Sequence, residues 1–139
     1  MDFKNAFDSP CRLKFLKLLE KMGMNRTVII AIKNLLTDTF MVYDHERIAS
    51  QKGFPQGSTG SPLYFKIYVQ PLLDDFNEQS EYDAKMRMHA DDCVGKARGK
   101  DMIARAIEKV KAYGEEYFVY INPQKCNLVR MALTKAKRP

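Results

Sequence analysis

A chain of 139 residues holds one domain with one core and little besides. Hydrophobic residues make up 45% and charged residues 29%, ordinary for a globular protein, and no apolar run approaches the ~20 residues of a membrane-spanning helix. The net charge of +6 favours an anionic partner, while the three scattered cysteines (Cys11, Cys93, Cys126) have neither metal-ligand spacing nor the pattern of a disulfide framework. With no secretory signal visible, a reducing intracellular compartment is expected.

The predicted elements follow in chain order. Met1 to Phe3 reads as the end of a strand. Asp8 or Ser9 can cap a helix with Pro10 in its first turn. Cys11, Phe15, Leu18, Leu19 and Met22 then share one helical face, and Gly23 stops it. A second helix spans about Arg26 to Leu36, with Val28, Ile29, Ile32, Leu35 and Leu36 apolar. Thr39 to Tyr43 and Arg47 to Gln51 alternate around Asp44-His45-Glu46, a hairpin pattern. Gly53 to Gly60 is a loop, and Ser61-Pro62 opens an apolar helix through about Phe76. Strand Lys85 to His89, an Asp-Asp turn and strand Cys93 to Ala97 come next. Asp101 to Glu116 has helical period. Phe118 to Ile121 and Cys126 to Met131 are two further strands around Asn122-Pro123-Gln124. The order β-α-α-β-β-α-β-β-α-β-β implies an α+β layer fold, with helices on one face of an antiparallel sheet.

Two places carry chemistry. Asp91 and Asp92 stand at a tight turn between apolar runs, and Asp2 lies on another apolar strand. If a small sheet sets these strands side by side, the carboxylates can hold hard divalent cations. The plain alternative is a terminal surface residue and an ordinary turn. The second place is Gly53-Phe54-Pro55-Gln56-Gly57-Ser58-Thr59-Gly60. Its glycines let backbone approach a ligand, Gln56 offers donor and acceptor, and hydroxyls precede a helix N-terminus. Alone, this loop reads first as a plain turn with Ser61 as cap.

Asp2-Phe3-Lys4-Asn5-Ala6-Phe7-Asp8, Gly53 through Leu63, His89-Ala90-Asp91-Asp92 and Ile121-Asn122-Pro123-Gln124-Lys125-Cys126 occur in that order. Together they resemble the reverse transcriptase family, closest to its group II intron and non-LTR retroelement branch. The resemblance implies a polymerase palm of ferredoxin-like shape over residues 1–134, with a basic tail at 135–139. It implies an RNA-directed DNA polymerase, a nucleotidyltransferase adding dNTPs to a primer 3′-hydroxyl with two Mg²⁺ ions, or Mn²⁺ in their place. Asp2 and Asp91 would be the main metal ligands, with Asp92 assisting and the Phe3 carbonyl completing a shell. Phe7 would be the steric gate against a ribose 2′-hydroxyl. Gln56 and Gly57 would meet the nucleotide, Ser61 and Pro62 the template, and His89 the primer. Lys125 would be the acid for the departing pyrophosphate, or otherwise a solvated lysine.

His89 departs from the family's usual aromatic residue, and Thr59-Gly60 from its usual Pro-Leu. Phe118-Val119 stands where a glycine is common. Little chain precedes Asp2 or follows Met131, so the expectation is a palm with fingers and thumb largely absent. Activity would then require other protein segments or subunits. The partners implied are RNA template and primer, with dNTP and no membrane. The competing expectation is a non-catalytic reverse-transcriptase-derived module that binds RNA or packs as a structural component inside a larger ribonucleoprotein. A cyclase-like nucleotide domain of ferredoxin-like shape is a third, but it has no place for Pro55-Gln56-Gly57.

Overall fold

The computed structural model describes residues 1–37, 39–78, 84–89 and 92–130, with side chains for all of these except 41 and 43. In chain order they form β1 (Phe3–Lys4), α1 (Arg12–Lys21), α2 (Arg26–Thr37), β2 (Phe40–Tyr43), β3 (Glu46–Ala49), α3 (Ser61–Glu78), β4 (Ala84–His89), β5 (Asp92–Ala97), α4 (Lys100–Tyr117) and β6 (Tyr120–Ile121). A 3-10 turn over Pro123–Lys125 follows. The fold is α+β, built of helices and small antiparallel ladders, as expected.

Strand alternation decides which side chains reach solvent. β4 and β5 pair antiparallel, with His89 opposite Asp92, Met88 opposite Cys93 and Met86 opposite Gly95. Ala84, Met86 and Cys93 are buried on one face. Lys85, Arg87, His89, Asp92, Val94 and Lys96 are exposed on the other. β1 pairs antiparallel with β6, Phe3 opposite Ile121. An antiparallel bridge between Asp2 and Asp92 joins the two ladders. The Met1 ammonium donates to the Cys93 carbonyl (2.6 Å) and the Cys93 N–H to the Met1 carbonyl (2.8 Å). The spatial order is therefore β6-β1-β5-β4, one sheet with a covered face and an open face. β2 and β3 form a separate hairpin. Its turn residues Asp44 and His45 both have positive φ (47° and 66°), the twist that tight hairpin turns require.

α3 is the spine of the core. Its Phe65, Tyr68, Val69, Leu72 and Phe76 are buried against Phe15 and Leu19 of α1, Val110 of α4, and Phe3 and Met86 of the sheet. Each such side chain contributes roughly 1.5–3 kcal/mol through burial. Phe15, Phe54, Tyr64 and Tyr68 meet edge-on or tilted, with centroids 4.9–6.4 Å apart. The fully buried Tyr68 hydroxyl accepts from the Cys11 N–H (3.1 Å) and donates to the Tyr117 carbonyl (2.7 Å), tying α3 to α1 and α4. Burial raises the Tyr68 phenol well above its ordinary value, which keeps that donor proton in place. On α4, a Cβ at Gly114 would lie 2.6 Å from the Val119 carbonyl oxygen, so only glycine lets β6 fold back this closely.

Three local expectations are corrected. The first helix is not capped by Asp8 or Ser9. Cys11 is its N-cap, without a side-chain bond, so Pro10 precedes the helix; the Asp8 carboxylate is engaged by Gln56, and the Ser9 hydroxyl faces the Lys4 carbonyl. The strand expected from Phe118 starts only at Tyr120, because Phe118 adopts the left-handed conformation (φ 58°, ψ 34°) that ends α4. The strand expected over Cys126 to Met131 does not form among the described residues, and Met131 lies outside them. Pro123 lacks an N–H, the Asn122 side chain accepts from the Gln124 N–H, and the 3-10 turn diverts the chain. Leu128 and Val129 are 76% and 75% exposed, with no sheet face to cover them. On α2, Ile29 and Leu36 are buried, whereas Val28 and Leu35 are exposed.

Two substitutions test this account. Phe118→Gly relieves left-handed strain and is expected to stabilise the fold by about 1 kcal/mol in urea denaturation. Tyr68→Phe leaves a buried N–H and a buried carbonyl unpaired and is expected to destabilise it by about 1–3 kcal/mol in the same measurement.

Candidate functional site

Residues directly opposite across an antiparallel bridge project to the same side. Asp2 and Asp92 are such a pair, and Asp92 lies on the open face, so both carboxylates rise from that face at the centre of the sheet. Phe3, one residue along, points the other way, is 4% exposed and meets Phe65 edge-on at 5.9 Å. Its side chain belongs to the core, and only its backbone can face the site. Ala90 and Asp91 lie outside the described residues. His89 is the cross-strand partner of Asp92, so its imidazole stands beside that carboxylate on the open face. Exposed Lys85, Arg87 and Lys96 surround them on the same hairpin face. A pair of acidic groups set in a basic field suits a cation at the centre and an anionic polymer around it.

Asp2 already has a cationic partner. Its backbone carbonyl accepts from the Asn122 N–H (2.8 Å), continuing the β1–β6 ladder. The 3-10 turn then brings Lys125 back, with Nζ 3.3 Å from Asp2 Oδ2. The Lys125 side chain is 70% exposed and the Asp2 side chain 16%. An ion pair that open to water is weak and readily exchanged. Next to Asp92, burial pushes the Cys93 thiol up to about 11. It stays protonated and is no candidate ligand or nucleophile at neutral pH.

The glycine loop folds against the segment that follows Asp2. The Phe54 N–H donates to the Phe7 carbonyl (2.6 Å) and the Gly53 N–H to the Pro10 carbonyl (2.8 Å). Gly53 has φ +74°, and a Cβ there would lie 2.5 Å from the Phe7 oxygen. Gln56 Nε2 donates to both carboxylate oxygens of Asp8, at 2.9 and 3.0 Å. The half-buried Phe7 ring rests on Phe65 at 5.5 Å between centroids. Ser61 is 2% exposed, and its hydroxyl donates to the Pro55 carbonyl (2.6 Å). Its side chain therefore closes the loop rather than facing outward. Gln56, Gly57 and Pro62 are exposed.

Sequence reasoning missed Arg12, which holds this loop from behind. Its guanidinium donates to the carbonyls of Gly53 (2.7 Å), Leu36 (2.6 Å), Ser50 (2.6 Å) and Lys52 (3.2 Å), and to the Ser50 hydroxyl (3.2 Å). One signal was available. A cation in the first turn of a helix opposes the helix dipole, which suggests acceptors elsewhere. Two open grooves of about 410 Å³ each lie beside Arg12, and neither is lined by Asp2 or Asp92.

Among the described residues, no three His, Cys, Asp or Glu side chains group as a metal site. Asp2 and Asp92 nevertheless fit magnesium by the chemistry of their donors. It takes hard oxygens and needs only one or two carboxylates when phosphates and water complete its shell. Among the described residues, no helix is long and apolar enough to cross a membrane. A family model described as "Reverse transcriptase (RNA-dependent DNA polymerase)" matches residues 1–137. No curated protein matches the chain.

The geometry of the loop yields a test. Gly53→Ala combines left-handed strain with a backbone clash and is expected to cost at least about 2 kcal/mol in chemical denaturation. Gly57→Ala, at a similar φ but in open space, is expected to cost only about 1–2 kcal/mol.

Proposed function

The chain belongs to the reverse transcriptase family, and on that premise we propose that it is the palm of an RNA-directed DNA polymerase that joins dNTPs to a primer 3′-hydroxyl. The observation that carries the reading is the bridge that sets Asp2 opposite Asp92 on the open face. Asp2, Asp91 and Asp92 are the residues that would hold divalent metal, with the Phe3 carbonyl as a further oxygen donor. When bound, magnesium (or manganese) lowers the pKa of the attacking hydroxyl and neutralises the triphosphate.

The remaining roles belong to the chain itself. Phe7, fixed by its contact with Phe65, presents a ring edge that excludes a ribose 2′-hydroxyl. Gln56 and Gly57 meet the incoming nucleotide from the loop. Pro62, on the first turn of α3, lies under the template, while Ser61 holds the loop that leads to it. His89 flanks the primer end beside Asp92. Lys125, kept near the site by Asp2, donates a proton to the departing pyrophosphate. The basic open face and the 135–139 tail track the nucleic-acid backbone. Within the family, the four motifs together resemble the group II intron and non-LTR retroelement branch most.

The decisive measurement is primer extension on an RNA template by a complete polymerase carrying this palm. Asp91→Asn is expected to lower the rate by at least about three orders of magnitude, the ~4 kcal/mol expected from a lost metal ligand, with circular dichroism unchanged. Undiminished extension would sink the catalytic reading and favour the non-catalytic module.

A further inference from the structure

Asp8 lies six residues beyond Asp2, and its carboxylate faces Gln56 rather than the Asp2–Asp92 pair. The loop does not need this contact to be held. The Phe54 and Gly53 amides, the Ser61 hydroxyl and the Arg12 guanidinium already fasten its backbone. Those bonds leave the three side-chain torsions of Gln56 and the orientation of its amide undetermined. An exposed glutamine free to choose among rotamers loses side-chain entropy when a ligand fixes it.

Resting on the nucleotide-site reading above, we infer that Asp8 is a positioning residue that locks the Gln56 amide with its nitrogen toward Asp8 and its oxygen toward the ligand. A carboxylate only accepts hydrogen bonds, so the amide nitrogen must face it. Nε2 lies within hydrogen-bond distance of both Asp8 oxygens. Oε1 is then the end directed away from Asp8, and it is an acceptor. It is matched to a donor on the nucleotide, a sugar hydroxyl or a base N–H, and not to phosphate, which at neutral pH offers chiefly acceptors. Asparagine at position 8 is nearly isosteric but can present either oxygen or nitrogen, so it would let the Gln56 amide turn over.

The test uses the 139-residue chain in Mg²⁺, with dATP and inorganic tripolyphosphate as probes and isothermal titration as the readout. Asp8→Asn is expected to weaken dATP about tenfold, the equivalent of one hydrogen bond, and Asp8→Glu to restore most of it. Tripolyphosphate should bind the Asn variant no more weakly than the native chain. In a Gln56→Ala background, Asp8→Asn should cause no further loss, the signature of a residue acting through another. The Gln56 side-chain amide signal in ¹H–¹⁵N spectra should shift and exchange faster in Asp8→Asn without any nucleotide. Native affinity for dATP in Asp8→Asn, or a fully additive loss with Gln56→Ala, would overturn the positioning role alone. If the native chain binds no dATP, the nucleotide-site reading falls, and this inference with it.

Discussion

Everything at the site depends on one short backbone contact, the pairing of Met1 and Asp2 with Asp92 and Cys93. Two hydrogen bonds between Met1 and Cys93 flank the Asp2–Asp92 bridge. Without them β6-β1 and β5-β4 would be two separate ribbons, each marginal in water. Joined, they give four strands with a common covered face for α3 and α4. The same pairing fixes where the acidic side chains go. Covered and open faces alternate along each strand, so the burial of Phe3 and Cys93 in the core obliges Asp2 and Asp92 to face outward. Core packing and site assembly are one constraint seen from two sides.

A second organising element works at a distance from the carboxylates. Arg12 gathers the end of α2, the approach to the glycine loop and the loop's first residue around one guanidinium. Partial burial lowers its pKa, but the starting value is so high that the charge is retained. Carbonyl oxygens that would otherwise face solvent or each other are satisfied together. The loop is thereby pressed onto the Phe7–Pro10 segment, and Gly53 is the residue whose missing side chain makes that approach possible. The grooves beside Arg12 are by-products of this gathering and lie apart from the carboxylates.

Much of this was legible in the sequence. Helix positions followed from apolar periodicity, because burial of Phe15, Leu19, Phe65 and Val110 is a local pattern with a long-range reward. The Asp2 and Asp92 pairing was legible as an expectation from apolar flanks and motif order. What escaped was side-chain chemistry with two equally good local solutions. Asp8 before a helix reads as a cap, and only a partner 48 positions away shows otherwise. Lys125 reads as a solvated lysine until the Asn122 turn carries it to Asp2. Phe118 reads as the start of a strand by composition, yet the end of α4 claims it first. Leu128 and Val129 have strand propensity but, among the described residues, no neighbouring strand to use it, and propensity without burial builds nothing.

The two-faced sheet also bears on how this segment can change over evolutionary time. His89 and Asp92 are cross-strand partners, joined by the two residues Ala90 and Asp91. A slip of β5 by one residue against β1 and β4 would reverse its two faces. Cys93 would then rise on the open face, and a carboxylate would descend into the apolar core. The hairpin is therefore constrained in register as well as in the identity of its carboxylates and its buried residues.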